Sequence, residues 1–81
     1  MGALTQEIPV PVKLTYREIA DDLAERIRHG EYQPGADLPS YRELAELYSV
    51  SVATAARAYG LLRDRGVVIG TPGRGMSVPE A

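Results

Sequence analysis

The chain has 81 residues, 25% of them charged and 44% hydrophobic, with a net charge of −2 and no cysteine. That length suits one small domain, and the lack of cysteine excludes a disulfide framework and any thiolate metal site. No apolar run approaches the roughly 20 residues needed to cross a bilayer, and the start MGALTQEIPVPVK lacks the pattern of a secretory signal, so a cytoplasmic protein without membrane contact is expected.

Residues 1–14 read as an extended N-terminal arm, because Pro9 and Pro11 alternate with Ile8, Val10 and Val12. A first helix is expected over Tyr16–His29. Thr15-x-x-Glu18 forms its capping box and Gly30 suits the position just past its end. Tyr16, Ile19, Ala20, Leu23, Ala24 and Ile27 make one apolar stripe at helical spacing, and Asp21, Asp22, Glu25 and Arg28 face away. Tyr32-Gln33-Pro34-Gly35 reads as a type II turn, with room for a very short strand at 36–38.

Ser40-x-x-Glu43 is a second capping box, opening a helix over Tyr41–Leu47 with Leu44 and Leu47 inward and Arg42 and Glu46 outward. The three-residue linker Tyr48-Ser49-Val50 has the length of the turn in a helix-turn-helix. Ser49 stands where a left-handed residue is convenient. Ser51 caps a third helix over Val52–Arg65 that stops at Gly66. Its inward stripe is Ala55, Ala58 and Leu62, flanked by Tyr59. Val52, Ala53, Ala56, Arg57, Gly60 and Arg63 lie opposite. Val67-Val68-Ile69 reads as a strand, Thr71-Pro72-Gly73-Arg74-Gly75 as a turn and Met76-Ser77-Val78 as the return strand. Three helices followed by a hairpin define a mainly α fold with a small β element, the winged helix-turn-helix, over residues 15–79.

The acidic balance opposes nucleic-acid binding, because DNA-binding domains are usually basic. Its distribution points the other way. Residues 1–39 carry four basic against seven acidic side chains, whereas residues 40–75 carry five (Arg42, Arg57, Arg63, Arg65, Arg74) against three (Glu43, Glu46, Asp64). The basic excess coincides with the helix-turn-helix and the wing, and its small size implies a moderate salt dependence.

The combination Gly30-Glu31-Tyr32-Gln33-Pro34-Gly35, Leu38-Pro39-Ser40-Tyr41-Arg42-Glu43-Leu44-Ala45, Tyr48-Ser49-Val50-Ser51, Thr54, Ala58, Leu62, Gly66 and Gly73-Arg74-Gly75 resembles the DNA-binding domain of GntR-type bacterial transcriptional regulators. The resemblance covers residues 14–79. It implies a DNA contact for Arg42, a phosphate contact for Thr54 and a wing role for Gly73 and Gly75. The chain departs from the family pattern at Tyr41, where Glu is usual, at Val52 and Ala56, where Arg is usual, at Ser49, where Gly is usual, and at Tyr59, where Leu is usual.

The expected chemistry follows. The third helix enters the major groove by its N-terminal part. Ser51 and Thr54 offer hydroxyls, and the helix N-terminus offers N–H groups, to phosphate. Arg42 and Arg57 can each grip a guanine, for about 1–3 kcal/mol of discrimination. Val52, Ala53 and Ala56 can press on thymine methyl groups. Arg74, between Gly73 and Gly75, suits a wing tip on phosphate or in the minor groove. Ser40 and Tyr41 complete the DNA-facing set, each with a competing structural role as helix cap and core-edge aromatic. Arg63 and Arg65 read as cations placed against a helix C-terminus. The expected partner is a two-fold symmetric double-stranded DNA site bound by a homodimer. One histidine and no cysteine leave no metal site and no nucleophile–base pair, so neither enzyme activity nor a cofactor is expected, and no small-molecule site is visible. The alternative is a winged helix used as a protein-interaction module.

Overall fold

In the computed structural model, residues 14–80 are described; the arm expected over 1–14 lies, but for Leu14, outside them. Helix α1 spans Tyr16–Arg28, α2 Tyr41–Tyr48 and α3 Val52–Asp64, and the strands β1 (Ile69–Thr71) and β2 (Gly75–Ser77) follow. Both capping boxes form. The Glu18 backbone N–H donates to Thr15 Oγ1 at 3.1 Å and the Thr15 N–H returns to the Glu18 carboxylate at 2.8 Å. Ser40 and Glu43 repeat the exchange at 3.0 and 2.9 Å. In each case two backbone or side-chain groups that a helix start leaves orphaned are satisfied reciprocally.

All three helices end in the same way. The N–H groups of Glu31, Val50 and Val67 reach back to the carbonyls of Arg26, Ala45 and Leu62, each at 2.9 Å. This closure requires a left-handed residue just before the donor. Gly30 and Gly66 supply it at φ 88° and 78°. At the end of α2 the left-handed residue is Ser49, at φ 56° and ψ 47°, a conformation that costs a side-chain-bearing residue about 1–2 kcal/mol.

The core lies where α3 packs on both α1 and α2. Ile19, Ala20 and Leu23 of α1, Leu44 and Ala45 of α2, and Ala55, Ala58, Tyr59 and Leu62 of α3 are buried together with Leu38, Val68, Met76 and Val78. Tyr59 is fully buried, and its hydroxyl donates to the Pro39 carbonyl at 2.6 Å, so its one polar atom is satisfied. A second tyrosine ties α2 to α1: the Tyr48 hydroxyl donates to Asp22, which also accepts from Arg26 at 2.8 Å. The Tyr48 hydrogen bond, then that of Arg26, holds the Asp22 carboxyl below the usual carboxylate range.

Several expectations need correction, beginning with the return strand, which is Gly75–Ser77 rather than Met76–Val78. Leu47 does not face inward but is 53% exposed, while Ala45 is buried and Tyr48 packs against the core. A helical stripe can continue from Leu44 at either i+3 or i+4, and α2 is rolled so that i+4, Tyr48, takes the inner place. Helix α2 accordingly includes Tyr48, and the linker is Ser49-Val50-Ser51, shifted by one residue but of the expected length. The first wing strand is Ile69–Thr71 rather than Val67–Ile69, because the Val67 N–H is already engaged in closing α3.

Strands β1 and β2 are antiparallel, with Ile69 opposite Ser77 and Thr71 opposite Gly75. The short strand expected near 36–38 appears as a single bridge, Asp37 opposite Ser77. Backbone bonds of 2.9 Å from Leu38 to the Met76 carbonyl and from Val78 to the Ala36 carbonyl seat β2 against the segment leading into α2. This seam fixes the wing relative to the helix pair.

Candidate nucleic-acid interface

Two Pro–Gly turns face each other at one edge of the fold. In Gln33-Pro34-Gly35-Ala36 the Ala36 N–H closes on the Gln33 carbonyl at 2.9 Å, and in Thr71-Pro72-Gly73-Arg74 the Arg74 N–H closes on Thr71 at 3.0 Å. Both place glycine third at positive φ, 84° at Gly35 and 81° at Gly73, which is the type II geometry. Arg74 joins them. Its Nε donates to Asp37 at 2.7 Å and its Nη2 to the Gly35 carbonyl at 2.7 Å. The wing arginine is therefore folded back on the α1–α2 loop.

The start of α3 differs from the other two helix starts. Ser51 Oγ accepts from the Thr54 N–H at 3.1 Å and donates to the Thr54 hydroxyl at 3.0 Å, and no acidic residue occupies the first turn. The glutamates that close α1 and α2 would repel phosphate; α3 presents a positive dipole end without one. Val52 is 48% exposed, Ala53 is exposed and Ala56 half-buried, so the N-terminal half of α3 offers a smooth surface of small side chains that lets another molecule approach the helix backbone closely.

Four of the eight arginines are held in ion pairs. The nine basic residues are Lys13 and eight arginines. Arg26 pairs with Asp22 and Glu31, Arg28 with Glu25, Arg65 with Asp21, and Arg74 with Asp37. Among the described residues, Arg17, Arg42, Arg57 and Arg63 are exposed and make no ion pair. Arg42 opens α2. The Arg57 guanidinium lies 5.9 Å from the centre of the Tyr16 ring, a cation–π contact that steadies the side chain on the α1 side of α3.

Tyr41 is 41% exposed and its ring stacks at 5.7 Å, tilted by 34°, on buried Tyr59. It is at once a core-edge aromatic and a surface residue. The two positions at which the chain departs from the family pattern with a tyrosine are thus in direct contact. On the wing side of α3 an open groove runs between the helix pair and the hairpin. Tyr41, Arg42, Val52, Arg63, Gly70 and Thr71 are among its lining residues. Of the expected residues, Ser40, Tyr41, Arg42, Val52 and Gly75 share this groove, while Ala53, Thr54 and Arg57 line a second depression beside Tyr16. In the sequence Arg63 reads as a helix-end cation on the outward face of α3. Its place was nonetheless legible, since it follows Val52 by eleven residues, three helical turns, on the same face. Among the described residues, no group of three or more His, Asp and Glu could hold a metal ion, and no helix is long and apolar enough to cross a membrane.

Two helices at a tight three-residue turn, a preceding helix that completes the core, and a hairpin seated beside them define the winged helix-turn-helix class. The chain belongs to the gntR family of bacterial regulatory proteins, which matches residues 15–78. It is 44% identical over 63 residues to an HTH-type transcriptional regulator of Streptomyces coelicolor, covering 78% of this chain and 23% of that protein. It is 35% identical over 77 residues to the HTH-type transcriptional repressor NagR of Bacillus subtilis, covering 95% and 30%. The chain thus spans less than a third of either relative. Among solved structures it superposes on YtrA from Sulfolobus acidocaldarius, a GntR-family transcription factor, with a TM-score of 0.76 and 37% identity over 93% of this chain and 80% of that one. It also superposes on AraR(DBD) in complex with operator ORR3, with a TM-score of 0.74 and 27% identity over 96% and 90%.

Proposed function

We propose that the chain is the sequence-specific DNA-binding module of a bacterial transcriptional regulator, with α3 in the major groove and the hairpin on the minor groove or backbone. The observation that carries this reading is the pairing of the arginines. Arg42, Arg57 and Arg63 surround the small-residue face of α3 without carboxylate partners, while Arg26, Arg28 and Arg65 pair with carboxylates of α1 and of Glu31 just beyond it, leaving Arg17 as the one unpaired arginine of α1 among the described residues. A relative named a repressor and a neighbour solved with its operator support the assignment.

Within it, Ser51 and Thr54 hold phosphate, Arg42 and Arg57 read guanine, and Val52, Ala53 and Ala56 meet thymine methyl groups. Ser40 and Tyr41 flank the entry of α2, and Gly73, Arg74 and Gly75 form the wing contact. A single module buries little DNA, so two copies on a two-fold symmetric site are the working assembly. Residues 15–79 form the module and 1–14 the arm. The role is cytoplasmic and non-enzymatic. Selection of binding sites from a random DNA pool, followed by a salt titration on the selected and a scrambled duplex, tests the reading: tight, salt-dependent preference for the selected site supports it, and no binding at low salt refutes it.

A further inference from the structure

The groove between α3 and the wing has a chemistry of its own. Its lining includes two arginines, Arg42 and Arg63, the hydroxyl residues Ser40 and Thr71, and no aspartate or glutamate. Arg63 reaches it from α3 alongside Gly70 of β1. A Cβ built on Gly70 would lie 3.7 Å from Arg63 Nη1, so the guanidinium rests beside the bare backbone of β1. Two like charges are thus brought to one groove without a counter-charge, an arrangement that an anion relieves.

DNA geometry says which anion. The major and minor grooves of a duplex are separated by a single sugar–phosphate strand. A protein with a helix in one groove and a hairpin in the other must straddle that strand. On this protein the space between them is this groove. We infer that the groove seats the backbone strand dividing the two DNA grooves, and that Arg63 is a phosphate-binding residue opposite Arg42. The inference rests on the proposed DNA-binding role and adds a contact from the C-terminal half of α3, where a recognition helix is not ordinarily read for contacts.

The test uses the full chain and a fluorescein-labelled duplex of about 30 base pairs carrying the selected site, with a scrambled duplex beside it. Arg63→Ala should weaken binding to both duplexes by a similar factor, about tenfold at low salt, and should reduce the slope of log K against log salt by about 1, the signature of one lost phosphate contact. Arg63→Lys should restore most of the slope. Arg65→Ala, which breaks only the pair with Asp21, should leave the slope unchanged. Arg63→Gln keeps the stem beside Gly70 and serves if the alanine variant does not fold. Wild-type protein that binds neither duplex would refute the DNA-binding role itself. Wild-type binding with an unaltered slope in the alanine or glutamine variant would refute the role of Arg63, as would a loss confined to the selected duplex.

Discussion

Arg74 of the wing and Asp37 of the loop before α2 form an ion pair of 2.7 Å across the seam between the two Pro–Gly turns. The side chain expected to reach DNA is already occupied. Both partners are substantially exposed, so the pair contributes little to stability, about 0–1 kcal/mol. On the proposed DNA-binding role its larger effect falls on binding, because a wing contact through Arg74 would exchange a carboxylate for a phosphate.

Asp37→Asn should therefore tighten DNA binding several-fold and steepen its salt dependence. In an Arg74→Ala background the same substitution should do nothing. A double-mutant cycle on DNA affinity measures the coupling; additive effects would show that Arg74 stays on the loop when DNA is bound.

Ser49 stands alone among the three helix ends in bearing a side chain at a left-handed position. Relief of its strain by Ser49→Gly is partly offset by the greater freedom glycine gains in the unfolded chain. A net stabilisation of about 0.5–1 kcal/mol is expected, which for a domain of this size raises Tm by roughly 2–8 °C. Thermal unfolding followed by circular dichroism decides it.

Tyr59 carries both a ring in the core and a hydroxyl on the Pro39 carbonyl. Tyr59→Phe leaves that carbonyl without its partner and should cost about 1–3 kcal/mol. Tyr59→Ala should cost about 3–5 kcal/mol, comparable with the whole stability of a small domain, and should leave the chain largely unfolded. Tyr41 loses its stacking partner in the alanine variant, so denaturant curves for Tyr41→Ala should show a smaller loss than for Tyr59→Ala.

Alkaline stability follows from two tyrosines. Burial raises the Tyr59 hydroxyl above the usual tyrosine range, and burial aided by the Asp22 carboxylate raises Tyr48. The folded state binds these protons more tightly than the unfolded chain, where tyrosine titrates near about 10. Their contribution is complete below that pH and is lost as pH rises through the folded-state values. Unfolding should begin above about pH 10, with late tyrosinate absorbance rising together with the loss of helical signal; titration of every tyrosine before any loss of helix would contradict this. Asp22 acts in the opposite sense. Its lowered pKa gives stability present above the ordinary carboxylate range and lost as pH falls.

Arg42→Ala should weaken specific DNA binding far more than Arg28→Ala, because Arg28 is paired with Glu25 on the far side of α1. Equal effects in a gel-shift comparison would misplace the DNA-facing surface.

Much of the fold was readable from local signals. Thr15, Ser40 and Ser51 mark helix starts, and Gly30 and Gly66 mark ends, because caps and left-handed closures depend on a few adjacent residues. The roll of α2 was not readable, since Leu47 and Tyr48 are equally suited to its stripe and only the contact with Asp22 on α1 selects between them. Val67 shows the same limit: its β-branched side chain signals a strand, but its N–H is claimed by Leu62. At the candidate interface the residue types and faces were legible, whereas the fold-back of Arg74 and the route of Arg63 past Gly70 depend on tertiary neighbours.

The first turn of α3 lacks an acidic group, and among the described residues the cations around it are arginines, which stay charged at any physiological pH. The single histidine, His29, sits at the far end of α1. Among the described residues, a surface so composed offers no group that changes charge near neutrality. DNA affinity of this module should be level between about pH 6 and 9, where neither carboxylates nor guanidinium groups titrate, so that acidity acts on the described residues through stability rather than recognition.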